Sequence, residues 1–171
     1  MSAAARGGAQ PGSGPVAIGA DHGGFRLKET LRRYLQEELG VRAIDCGAFS
    51  SDAVDYPDIA AAVARRVASG ECARGIAIDG AGIGSSIAAN KIPGIRAAVC
   101  HDERTARSSR AHNDANVLCL GASVVGVGEA RRLVRIWLSA PFEGGRHQRR
   151  VDQILALEQS PRPAEEGRET R

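Results

Sequence analysis

The sequence predicts one α/β domain, a doubly wound, five-stranded parallel sheet with helices on both faces. Two observations predict it. Short, near-continuously apolar runs alternate with longer segments of helical period, as strands do when crossover helices cover both faces of a sheet. The runs also end in glycine, aspartate or histidine, at the strand ends where such sheets bind ligands.

The first strand is Val16 to Gly19, ending in Asp21-His22-Gly23-Gly24. A helix follows from about Phe25 to Leu39, with Phe25, Leu27, Leu31, Tyr34, Leu35 and Leu39 at helical spacing and Gly40 as its stop. Val41 to Cys46 is the second strand, and Tyr56-Pro57-Asp58 opens an alanine-rich helix to about Ser69. Gly75 to Ile78 is the third strand, Ile83 to Asn90 a short helix, and Arg96 to Cys100 the fourth strand. Asp102 to His112 is a helix, Val117 to Leu120 the fifth strand, and Val127 to Leu138 a helix around Trp137. A last helix spans about Arg146 to Glu158. The domain thus covers residues 15–158, between a leader (1–14) and a tail (159–171) whose compositions read as disordered.

The chain has 171 residues, enough for a full core, and 43% hydrophobic with 25% charged residues reads as globular. A net charge of +3, with the arginines scattered, argues against a polyanion groove or an acidic membrane surface. The four cysteines, Cys46, Cys72, Cys100 and Cys119, are too far apart for a zinc site, and half-buried thiols are expected of those in strands. The leader lacks the apolar core of a signal peptide, so the expected compartment is the cytoplasm.

Residues 75–86, GIAIDGAGIGSS, place Asp79 where a buried strand meets a glycine loop. The spacing of Gly80, Gly82 and Gly84 is not that of a dinucleotide fingerprint, with Ser85 where a third glycine belongs. The physics nevertheless favours an oxygen anion there, because bare backbone N–H groups and a helix start both attract one. The alternative is a tight turn in which Asp79 caps the next helix. Asp21 is open to the same two readings, site residue or helix cap. His112 and Asn113 close a helix, where histidine and asparagine are ordinary. Arg146 and Arg150, four apart on one face, are suited to fork a phosphate, or form a solvated basic face.

Taken together, DHGGFRLKE, VDYPDIA, GAGIGSSIAANKIPGIRAA, HNDANVLCLG and FEGGRHQRRVDQI, in that order, resemble the B-type ribose-5-phosphate isomerase family, which includes the galactose-6-phosphate isomerase subunits. The resemblance implies a Rossmann-like domain, a homodimer or homotetramer with active sites shared between subunits, and isomerisation of a sugar phosphate without metal or cofactor through an enediolate. It implies that Asp21, His22 and Tyr56 line the sugar site and that His112, with Asn113 beside it, assists ring opening. By the same resemblance Gly80, Ala81, Gly82, Gly84 and Ser85 form the loop that holds the enediolate oxygen, and Arg146 and Arg150 hold the phosphate. Three positions depart from the family pattern. Asp79 stands where many members have a cysteine base, Ala81 where they have a hydroxyl, and Ser123 where they have a phosphate-binding arginine. A thiol must ionise first, whereas an aspartate is charged at neutral pH without help, so Asp79 is expected to be the base and Ala81 is its coherent companion. The rival expectation is a non-catalytic sugar-phosphate-binding relative.

Overall fold

The computed structural model describes residues 14–159. The expected leader and tail lie, but for Gly14 and Gln159, outside the described residues. Five strands, β1 (Val16–Ala20), β2 (Ala43–Asp45), β3 (Arg74–Asp79), β4 (Ala97–Val99) and β5 (Val117–Gly121), form one parallel sheet in the order β2-β1-β3-β5-β4. Every residue of β1, β3 and β5 is buried, which is why these three read as unbroken apolar runs. The edge strands β2 and β4 are half-buried and shorter than the sequence predicts. Each has a neighbour on one side only, so pairing fades at its ends. Cys46 still donates its N–H to Ile18 O (2.8 Å), and Arg42 O accepts from Val16 N (2.9 Å).

The helices are α1 (Phe25–Arg33), α2 (Tyr56–Ala68), α3 (Ile83–Ala89), α4 (Glu103–Asn113), α5 (Val127–Ser139) and α6 (Arg146–Ala156). A wider π turn, Tyr34–Glu38, continues α1, and a 3₁₀ turn, Leu157–Gln159, continues α6. Under α1 and α5 the sheet presents Ile18, Ile76, Ile78, Leu118 and Leu120 to Leu31, Leu133 and the fully buried Trp137. Each such large side chain contributes about 1.5–3 kcal/mol by leaving water. The other face is built from small residues, Ala17, Ala77 and Cys119, against Ala60, Val63 and Ala64 of α2 and Ala89 of α3, so those helices lie close to the sheet. Of the strand cysteines Cys100 and Cys119 are fully buried rather than half-buried, because they serve as small core residues, as Cys72 also does; Cys46 is half-buried as expected. Burial pushes all four thiols above the ordinary range.

The helix starts follow from local chemistry. Pro57 fits the first turn of α2, where no N–H partner is needed. Asp102 accepts from Thr105 N (2.7 Å), closing a capping box on α4. Gly82 opens α3 with φ +80°, and a Cβ there would meet Leu120 C at 3.0 Å, so both backbone conformation and space require glycine. Among the described residues no helix is long and apolar enough to cross a membrane.

Candidate active site

The strand order reverses direction at β1, which pairs with β2 on one side and β3 on the other. Such a switch point opens a crevice at the carboxyl ends of the strands. Ala20 pairs with Ile78, and Asp21 N donates to Ile78 O (3.1 Å), so Asp21 and Asp79 leave neighbouring strands side by side at that crevice. Asp21 is half-buried, and its Oδ1 accepts the N–H of Gly24 (2.9 Å). His22 is exposed beside it, with Nδ1 3.4 Å from Val54 O. Tyr56, at the start of α2, lays its ring on the glycine loop; a Cβ on Gly84 would stand 2.5 Å from its Cε2.

Asp79 itself is 5% exposed. Its Oδ1 accepts the N–H of Ala81 (2.9 Å) and that of Gly82, and its Oδ2 accepts the N–H of Ser85 (2.7 Å). The helix-capping alternative is therefore realised in the structure. Of roughly four lone-pair directions on a carboxylate, three are occupied, and the free one belongs to Oδ2. The loop is pinned from behind as well, since Ala122 N donates to Asp79 O (2.8 Å) and Ser123 N to Gly80 O (2.9 Å). Gly121 lies so close that its Cβ would meet Ala81 C at 2.7 Å. Four N–H groups at a helix start have no intrahelical partner. Asp79 takes those of Gly82 and Ser85, leaving Ile83 and Gly84 to offer theirs to a ligand. Cys119, in the strand next to Asp79, has its thiol pushed up by burial and then by the Asp79 charge, so no thiolate stands in for the missing cysteine.

The remaining predicted residues lie elsewhere. Helix α4 leaves the carboxyl end of β4 and runs back for eleven residues, about 16 Å, to the amino end of β5. His112 and Asn113 close it there, at the opposite end of the sheet from Asp21 and Asp79. Arg96 Nε donates to Asn113 O (3.2 Å), and Ser108 Oγ lies 3.1 Å from His112 Nδ1. Glu143 N donates to Ala111 O (3.0 Å), tying the α5–α6 loop to the end of α4. Arg146 and Arg150 are exposed on the α6 face that follows. Within one chain, then, the predicted residues form two groups that do not meet.

Two residues beside His112 were not singled out from the sequence, although they flank Arg146 in the segment EGGRH. The buried His147 stacks on His112, with ring centroids 4.3 Å apart and planes 7° from parallel. Glu143 Oε2 lies 3.8 Å from Nε2 of both rings. Three donor atoms within 4.8 Å of one another are close enough to suggest a cation. Parallel rings, however, send their lone pairs along parallel lines, so as arranged they do not converge on one ion. Burial, then the nearby His112 and Arg146, hold His147 below the usual imidazole range, with Glu143 opposing.

The chain thus combines a parallel doubly wound sheet, carboxylates at its switch point and a histidine–arginine group detached from them. Residues 16–154 match the family model described as Ribose/Galactose Isomerase. Ribose-5-phosphate isomerase B of Escherichia coli (strain K12) is 52% identical over 144 residues, covering 84% of this chain and 96% of the relative. D-erythrulose-4-phosphate isomerase of Pectobacterium atrosepticum is 42% identical over 143 residues, 81% of this chain and 91% of that protein. The structure of Clostridium thermocellum ribose-5-phosphate isomerase B superposes with a TM-score of 0.83 at 52% identity, covering 85% of this chain and 97% of the other. The chain belongs to the ribose/galactose isomerase family, and it is an isomerase of the ribose-5-phosphate isomerase B type.

Proposed function

We propose that the protein interconverts an aldose phosphate and its ketose through an enediolate, with ribose 5-phosphate or a related pentose or tetrose phosphate as substrate. The similarity to both a ribose-5-phosphate and an erythrulose-4-phosphate isomerase supports this range. In the reaction a carboxylate takes the proton from C2 of the open sugar, the C2 electrons form the C1–C2 double bond, and the carbonyl oxygen becomes an oxyanion. Transfer of the O2 proton to the O1 oxyanion and return of the first proton to C1, as the C1–C2 double bond gives way to a C2 carbonyl, give the ketose. The N–H groups of Ile83 and Gly84 in the glycine loop hold the oxyanion as it forms. Asp79 is the base in this reading, acting through its free Oδ2 direction. A second reading is favoured by the hydrogen bonds that Asp79 already accepts: it anchors the loop, and Asp21, which accepts one backbone N–H in place of three, takes the proton.

His112 opens the sugar ring, Asn113 steadies it, and Arg146 and Arg150 bind the phosphate. For these to act on the same sugar as Asp21 and Asp79 they must come from a second copy of the chain. The site is then composite, built between two subunits. The observation that carries this is topological: α4 runs the length of the sheet before it reaches His112. Apolar surface is available for pairing, since Ile83 and Ile87 of α3 and Ile154 of α6 are 56%, 58% and 43% exposed. A panel of pentose and tetrose phosphates, assayed for isomerisation and for exchange of the C2 proton with solvent, tests the function. Binding without turnover or exchange would replace it with a sugar-phosphate-binding role.

A further inference from the structure

A basic recess lies at the amino end of the sheet, on the side of α4 away from His112. Residues two apart on a helix face different ways, and here His112 is exposed while Arg110 is buried. Arg74 and Arg110, each 6% exposed, line a cavity of about 520 Å³ walled by Leu138, Pro141 and Phe142. An adjoining lobe of about 340 Å³ shares both guanidinium groups and adds Arg96. Arg74 and Arg110 also lie over the ring of Trp137, at 5.5 and 5.8 Å, which fixes them in place.

The charge in this recess does not balance. Its carboxylate is Asp114, which accepts from Arg110 Nη1 (2.7 Å) and Arg96 Nη2 (3.1 Å). The Arg74 Nη1 donates to the carbonyls of Trp137 (3.3 Å) and Leu138 (2.8 Å), at the end of α5, and among the described residues it pairs with no carboxylate. Among the described residues the buried Arg110 Nε has no acceptor. Three guanidinium groups thus face one carboxylate and the ends of α4 and α5, each worth about half a negative charge, which leaves a surplus of about one positive charge. Burial, then the charge of Arg110, lower Arg74 to about 10.

We propose that this recess is an anion site, separate from the sugar-phosphate site, which takes a phosphate group between Arg74 and Arg110. Paired planar guanidinium groups match phosphate oxygens two at a time, which a single ammonium does not. The apolar wall leaves room for the small body of a phosphate monoester, and free phosphate offers the same chemistry. A ligand bound only by the folded chain stabilises it, by an amount that grows with the logarithm of its concentration.

The test is thermal unfolding of the full chain carrying Arg150→Ala, which weakens the proposed substrate phosphate site. Inorganic phosphate and a phosphate monoester are titrated separately, against sodium chloride of matched ionic strength. The expected result is a saturable rise in Tm that is lost when Arg74→Gln or Ala73→Glu is added. Ala73 is exposed and lines the recess, so a glutamate there supplies its own carboxylate to the arginines without disturbing the core. In the otherwise unchanged chain, Ala73→Glu should leave kcat and KM as they are. A larger shift with the monoester identifies a metabolite as occupant, and equal shifts identify free phosphate. A phosphate-induced rise that survives both added substitutions overturns the proposal, as does one that Arg150→Ala alone abolishes. Should Arg74→Gln fail to fold, Ala73→Glu decides.

Discussion

The rings of His112 and His147 lie face to face, 4.3 Å between centroids, joining the last turn of α4 to the first turn of α6. One ring is exposed and the other buried, so protonation of the buried one has a structural cost. Folded His147 holds a proton less tightly than the unfolded chain, whose imidazole titrates near about 6.5. Between the folded value and that one, the unfolded state binds more protons, so stability rises with pH. The contribution is complete above the unfolded value and is lost as pH falls towards the folded one. Tm should therefore decline from neutral pH into the mildly acidic range. His147→Asn should flatten that decline, and an unchanged slope would show that other groups cause it.

The composite site makes a prediction about mixed chains. Asp79→Asn damages one half of the site and Arg150→Ala the other, and each protein alone should be impaired. If subunits exchange at random, half of the dimers are mixed, and each mixed dimer has one site with both halves intact. Activity should recover to ~a quarter of the parent value, because an isologous pairing gives every site one half from each chain. Equal impairment before and after mixing, with exchange confirmed by mass spectrometry, would count against shared sites.

Arg150→Ala should raise KM for the best sugar phosphate roughly ten- to hundredfold, since a hydrogen bond to a charged group contributes about 1.5–3 kcal/mol. Steady-state kinetics with the phosphorylated sugar and its unphosphorylated counterpart provides the check. The phosphate role fails if the parent enzyme turns over both equally well.

Much of the fold was legible because β1, β3 and β5 are buried on both faces and so carry no polar interruption. The edge strands were read too long because Val41 and Arg96 resemble strand residues in sequence, while only a neighbour on each side would keep them in a ladder. The candidate residues at the crevice were legible from the strand-end rule, which brought out Asp21 and Asp79. Whether Asp79 faces a ligand or its own loop was not, because the answer depends on where the N–H groups of Ala81, Gly82 and Ser85 point. The basic recess was hidden for a different reason. Arg74, Arg96 and Arg110 are scattered along the chain with no spacing that groups them; folding brings them together around Asp114.

The role of Asp79 is the most decisive of these questions, because three backbone donors already converge on its carboxylate. Asp79→Asn exchanges one acceptor oxygen for an NH₂ group, so at least one of those donors loses its partner, and Tm should fall in either reading. A buried donor left without a partner costs about 1–3 kcal/mol. Kinetics then separates the two roles. If Asp79 is the base, Asp79→Asn should lower kcat by roughly 10²–10⁴ while KM changes little. Asp79→Cys should then keep part of the activity with its optimum moved to higher pH, since the thiol must ionise before it can accept a proton. If Asp79 anchors the loop, Asp79→Cys should lose stability and activity together with no upward shift of the optimum, and Asp21→Asn should be the variant that stops exchange of the C2 proton. An Asp79→Asn protein that exchanges that proton at the parent rate, despite a lowered Tm, would remove Asp79 from the proton transfer and leave Asp21 in its place.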